Sequence, residues 1–155
     1  MGFGGSGSGS GNLSSSNDVS LNAVADSHLL AYDGTISKWK NKAPTALHLP
    51  RVVALTYASS VTPNADTSDI ILLNLAGNTQ FTAPSGTPSD GQKLEIHLKQ
   101  DTVSGRTVTW AGAYAFASGL PAPILSTTAN TTDILGFRYS AAVSKWRFYG
   151  IINGF

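Results

Sequence analysis

Tyr32-Asp-Gly-Thr-Ile-Ser-Lys-Trp39 and Tyr139-Ser-Ala-Ala-Val-Ser-Lys-Trp146 spell nearly the same thing: an aromatic residue, a short turn, a β-branched residue, then Ser, Lys and Trp. Each stretch reads as a β-hairpin. The turn residues are small or Asp-Gly, and Asp33-Gly34 is among the strongest short hairpin signals because both central positions of a type I′ turn need positive φ. The return strands alternate apolar and polar residues toward Trp, which suits one buried and one wet face.

The strand reading extends outward from the two hairpins. Around the first, Asp18–Leu21 and His28–Tyr32 read as short strands completed by Ile36–Trp39. A hairpin this small is marginal alone, so Leu30, Tyr32, Ile36 and Trp39 are expected to pack against a larger body or symmetry copies of themselves. Beyond it, strands are predicted over 52–57, 69–75, 80–83, 93–99, 107–111, 124–127, 133–139 and 145–152. The alternation is sharpest in Leu94-Glu-Ile-His-Leu98, with Leu94, Ile96 and Leu98 on one side and Glu95 and His97 on the other. Eight short strands with turn signals between them predict an antiparallel β-sandwich or jelly-roll-like domain over 51–155.

Composition agrees. Sixteen glycines and many Ser, Thr and Asn against few Glu and Lys suit an all-β chain rich in turns. The 155 residues suffice for one main core plus an accessory module. Residues 1–17 are Gly/Ser/Asn-rich with only Phe3 and Leu13 as sizeable apolar groups, and read as an extended arm; residues 43–50 form a linker containing Pro44 and Pro50. Charged residues make up 12% of the chain against a norm of about 25%, and the net charge is +1, which disfavours nucleic acid or an anionic membrane as partner. No apolar run reaches the roughly 18 residues needed to span a bilayer, and the Gly/Ser start does not read as a signal peptide. The absence of cysteine removes disulfides, thiolate nucleophiles and Cys-ligated zinc, so stability must come from core burial or oligomerisation.

Nothing in the chain reads as an active site. The Gly-rich start lacks the Gly-Lys-Ser/Thr ending of a phosphate loop, and no Gly-x-Ser-x-Gly elbow occurs. His28, His48 and His97 lack metal-ligand spacing, with His97 read as a solvated residue. Most of the nine carboxylates sit beside Gly, Ser, Thr or Asn in predicted turns, where Asp bonds local backbone. No catalytic residue, metal or cofactor is therefore expected. Trp110, Tyr114 and Phe116 fall at even spacing, which on one strand would make a row of rings; such a row is either a candidate ligand face for sugars or peptides, or part of a core or subunit interface. Asn12-Leu-Ser14 and Asn130-Thr-Thr132 match the glycosylation acceptor pattern, which carries little without a secretion signal.

Residues 18–41, with their Asp18-Val start, Leu30-Ala-Tyr32-Asp33 strand and Lys38-Trp-Lys-Asn41, resemble a module of virion proteins of tailed bacteriophages, especially tail fibres and minor tail proteins. The second part resembles a β-domain of actinobacterial phages, on Pro88–Leu94, Gln100-Asp101, Gly105–Trp110, Ala122–Asn130 and Lys145–Phe155. The resemblance implies a non-enzymatic, homotrimeric protein of the virion surface, made in the host cytoplasm and contributing binding or assembly surfaces. Trimerisation also suits the physics, since it covers strand edges and the uncovered hairpin. The expected organisation is an anchoring arm over 1–17 holding another virion protein through Phe3 and Leu13, a hairpin collar over 18–42, and an outward β-domain that meets a host cell-surface glycan. Two other readings stand beside the tail-fibre one: a capsid decoration protein, or head fibre, and a carbohydrate-binding module.

Overall fold

The computed structural model describes residues 17–23, 28–42 and 49–155. Two compact units result, the first ending at Leu49 and the second spanning Pro50–Phe155. In chain order the strands are β1 (Val19–Ser20), β2 (Leu29–Asp33), β3 (Lys38–Lys42), β4 (Val52–Leu55), β5 (Ser60–Val61), β6 (Ile70–Asn74), β7 (Thr79–Phe81), β8 (Lys93–Lys99), β9 (Val108–Trp110), β10 (Tyr114–Ala115), β11 (Thr132–Ser140) and β12 (Lys145–Ile152). The described residues are all-β, as the sequence implies. Phe3, Leu13, His48 and most of the 43–50 linker lie outside the described residues.

In the first unit β2 and β3 pair antiparallel, and β1 joins β3 parallel. The turn is not the two-residue one expected at Asp33-Gly34. Asp33 still belongs to the ladder, opposite Lys38, and its carboxylate accepts from Thr35 N at 3.0 Å, so the reversal spreads over residues 34–37 with Ser37 at φ 51°. The second hairpin repeats this geometry. Ser140 faces Lys145 across residues 141–144, Ser144 also has φ 51°, and Tyr139 faces Trp146 as Tyr32 faces Trp39. The ring centroids are 5.6 Å apart in the first pair and 5.2 Å in the second. The likeness reaches a third strand: β10 runs parallel to β12 with Trp146 N donating to Ala113 O, just as Trp39 N donates to Asp18 O.

The second unit is built of a six-stranded sheet, ordered β10-β12-β11-β8-β6-β4, and a three-stranded sheet, ordered β5-β7-β9. Both contribute to one core, where Val61 and Phe81 of the small sheet join Ile71, Leu73, Leu94, Ile96, Leu98, Leu135, Phe137, Trp146 and Phe148 of the large one. Two layers of strands accord with a sandwich, but the pairing is mixed rather than antiparallel throughout. β4, β6 and β8 are mutually parallel, as are β5, β7 and β9; only β8, β11 and β12 pair antiparallel. The reason is the path of the chain. From β4 to β9 successive strands alternate between the sheets, so each sheet receives every second strand in the same direction, and the crossover that parallel pairing requires is supplied by a strand of the opposite layer.

The large sheet follows the predicted strands closely where one face is buried. β8 and β12 begin and end where expected, and Leu94, Ile96 and Leu98 are buried. Residues 124–127 form no strand: Ser126 is bound instead to the buried Asp133, which accepts from Ser126 N at 2.6 Å, Ser126 Oγ at 2.7 Å and Gly154 N at 3.0 Å. That carboxylate ties both the preceding loop and the chain end to the sheet.

Candidate functional site

Alternation along β8, β11 and β12 gives the large sheet a second face, turned away from the core. Lys93 lies opposite Arg138, and Arg138 opposite Arg147, so three neighbouring strands present three cations in one row. Leu94, Phe137 and Phe148, each adjacent in sequence to one of them, are buried in the core. The row borders a groove of about 560 Å³ whose lining also includes Asp90, Gly91 and Tyr149.

Two local devices shape this groove. Between Gly136 and Phe137 the β11–β12 register shifts, leaving Tyr149 as an extra residue in β12. The Tyr149 ring then lies on Gly136: a Cβ built at Gly136 would come 2.4 Å from ring carbons Cε2 and Cζ. Gly136 is thus the seat of an aromatic side chain that is still 55% exposed. At the other end, the Arg138 guanidinium lies over Gly91, which has φ +78°; a Cβ there would meet Nη2 at 3.1 Å. Gly91 N also donates to Tyr139 O and Tyr139 N to Gln92 O, which fixes the loop before β8 to β11.

The charge of the row is uncompensated by ion pairs among the described residues. Arg51 forks onto Asp69, with Nε at 2.8 Å and Nη2 at 2.7 Å, and Arg106 onto Asp101, with Nε at 3.0 Å and Nη2 at 2.7 Å. These arginines hold the Asp69 and Asp101 carboxyls below the usual carboxylate range through side-chain hydrogen bonds. Lys93, Arg138 and Arg147 have no such partner in any ion pair of the described residues. Glu95, the next outward residue of β8, is taken by His97 at 2.5 Å, and Asp90 accepts from Ala141 N at 2.8 Å.

The residues singled out by sequence are placed differently. Trp110, Tyr114 and Phe116 do not lie on one strand: Trp110 ends β9 in the small sheet and Tyr114 begins β10 in the large one. Their rings converge inside, with Trp110 at 5.2 Å from Phe137 and 5.0 Å from Tyr114, and Phe116 at 5.5 Å from Phe148. Tyr114 is buried in the core and Trp110 and Phe116 are partly buried against it, so the three do not form the single-strand row that their spacing suggests; the rings gain by packing on Phe137 and Phe148. Tyr114 is 5% exposed, burial pushes its hydroxyl well above the usual tyrosine range, and Tyr114 Oη has no hydrogen-bond partner among the described residues. In the first unit Leu30, Tyr32, Ile36 and Trp39 are exposed by 44%, 56%, 43% and 43%. The groove itself was not singled out from the sequence. Lys93, Arg138 and Arg147 sit in separate strands, and their only local signal is the alternation that turns them away from Leu94, Phe137 and Phe148. Among the described residues no group of three or more His, Asp or Glu side chains is placed to hold a metal ion.

No curated protein matches the chain. A solved structure described as "Structure of a chaperone-substrate complex" superposes at a TM-score of 0.37 and 15% identity, over 79% of this chain. The chain spans 20% of that structure's length, and so loose a likeness bears on neither fold nor function. One family model, described as "Putative phage tail fibre C-terminal domain", matches residues 61–141, which lie wholly within the second unit. With just over half of its 155 residues matched, the chain belongs to this phage tail fibre family.

Proposed function

We propose that the protein is a non-enzymatic structural component of the tail fibre, that copies of it associate through the first unit, and that the second unit faces outward and contacts the host envelope. The observation that carries this reading is the family match to the second unit, the unit that also bears the open groove. Attachment to the particle is assigned to residues 1–17, with Phe3 and Leu13 as its apolar holds. The host is an actinobacterium in this reading, on the resemblance of residues 88–94 and 145–155.

Self-association is supported by comparing the two hairpins. The same Tyr–Trp arrangement leaves Trp146 2% exposed where the rest of its domain covers it, yet Trp39 is 43% exposed within the described residues. Burying Leu30, Tyr32, Ile36 and Trp39 fully would contribute on the order of 1–2 kcal/mol each. A homotrimer is the proposed solution, because a threefold axis brings three such faces together at once.

Light scattering on the purified full chain tests the first part. Three copies are expected, with Trp39→Ala shifting the population toward monomer, whereas a folded monomer at all concentrations refutes it. Immunogold labelling of virions tests the placement: label at the tail supports it, and label spread over the capsid would favour a decoration protein instead. Sedimentation of the protein with host cells tests envelope contact, and protein that stays in the supernatant removes that role.

A further inference from the structure

We propose that the groove on the outer face of β8, β11 and β12 binds an acidic polysaccharide, with a uronate carboxylate held between Arg138 and Arg147 and its sugar ring resting on Tyr149. This deepens the envelope-contact reading above and rests on it.

Three observations point to this ligand. The first is the cation row. Like charges directly opposite one another on neighbouring strands destabilise a sheet. In a chain with only ten Lys and Arg, three stand in register across β8, β11 and β12 without an ion-pair partner among the described residues. The Arg51 and Arg106 pairs show that this fold can supply an aspartate where neutralisation is wanted, Asp69 through both carboxylate oxygens and Asp101 through one. At Lys93, Arg138 and Arg147 it supplies none, and an anion from outside would turn the repulsion into binding.

The second observation is chemical shape. Two guanidinium groups present planar forks of N–H donors, which match a carboxylate bidentately. Asp90 is the carboxylate of the lining and stands against the three cations, so the groove keeps a net positive charge; one of its oxygens also accepts from Ala141 N. A cationic row alone would suit any polyanion.

The third observation narrows the class. Tyr149 is placed by a register shift, and the Cε2–Cζ end of its ring is seated on Gly136 in the groove that the cations line. A half-exposed tyrosine ring can stack on the apolar C–H side of a sugar, and among the described residues its hydroxyl makes no hydrogen bond. Charge beside a stacking platform, in a groove of about 560 Å³, fits a saccharide unit carrying a carboxylate better than a protein surface or a bare ion.

The test is titration calorimetry of the full chain with tetragalacturonate, compared with maltotetraose, with a glutamate oligomer of equal charge and with inorganic phosphate. Tetragalacturonate is expected to bind and to weaken as salt rises; maltotetraose, oligoglutamate and phosphate are expected to bind at least tenfold more weakly. Arg138→Gln and Arg147→Gln each remove charge-assisted hydrogen bonds and are expected to weaken tetragalacturonate by about tenfold to hundredfold. Tyr149→Ala is expected to weaken it by about tenfold, while Lys99→Gln, on the same sheet but outside the groove, leaves it unchanged. Thermal melting of each variant separates lost binding from lost folding. Absence of tetragalacturonate binding, equal binding of oligoglutamate or phosphate, or indifference to the Arg138 and Arg147 substitutions overturns the proposal. Host-cell sedimentation separates the two levels: wild-type protein that binds cells but ignores tetragalacturonate sinks the ligand class alone, whereas protein that binds no cells sinks the envelope role itself.

Discussion

Gly136→Ala puts the seat of Tyr149 to a direct test. The added Cβ would stand 2.4 Å from the Tyr149 ring, well inside contact distance, and the ring end is the part that must move. Tyr149 is 55% exposed, so a little under half of a side chain that can bury about 150–250 Å² rests against the sheet. If the ring swings into water, about 70–110 Å² is uncovered, or about 2–3 kcal/mol at roughly 25 cal/mol per Å². Replacing glycine by alanine in a strand returns about 0.5–1 kcal/mol. The net expectation is a loss of about 1–2 kcal/mol, read as a fall in melting temperature of roughly 4–8 °C per kcal/mol for a domain of this size. Circular dichroism melts of the full chain measure it, and the decisive variant is the pair: in a Tyr149→Ala background the same Gly136→Ala change should be neutral or stabilising, because nothing is left to displace. An equal loss in both backgrounds would show that Gly136 is there for the backbone and not for the ring.

Three further outcomes follow from the same packing. Tyr114→Phe should leave stability unchanged or raise it by up to about 2 kcal/mol, since it removes a buried hydroxyl with no partner among the described residues; a melting temperature that falls by several degrees would reveal a partner for Tyr114 Oη. Asp133→Ala should destabilise the protein by about 2–4 kcal/mol, because Ser126 N, Ser126 Oγ and Gly154 N lose their acceptor together; Asp133→Asn should lose less, and hydrogen exchange should rise first around residues 121–131 and 153–155. On acidification, Asp69 and Asp101 have carboxyls lowered from 3.8 by Arg51 and Arg106, so each adds stability above that value and loses it as pH falls below about 4 through the folded-state values. Asp69→Asn should flatten part of this acid limb in pH-dependent melts, and an unchanged limb would show that the Arg51 fork contributes nothing.

The sequence was most legible where one face of a strand meets the core. Leu94, Ile96 and Leu98 alternate with polar residues because burial imposes a period of two, and the same constraint delimits β12. The two-residue strands β5 and β10 are too short to carry any period, and they exist because the layers already formed place them beside β7 and β12. The turn at Asp33 was legible as a turn but not in its length, since an Asp side chain that bonds Thr35 N competes with the tight reversal that Asp-Gly suggests. Residues 124–127 look like a strand by composition, and lose that form to the buried carboxylate of Asp133.

By itself the sequence determined that the chain is all-β, that it carries two Tyr–Trp hairpins of one design, and that a Cys-free chain of low charge must rest on apolar packing. Only the tertiary structure decided which strands are neighbours, because alternation reports the buried side of a strand but not the layer it joins or the direction of its partner. That decision packed Trp110 and Phe116 against the core around the buried Tyr114 and brought Lys93, Arg138 and Arg147 from three strands into one row beside Tyr149. A binding face made across strands has no spacing in the chain; it exists only once register sets one residue opposite another.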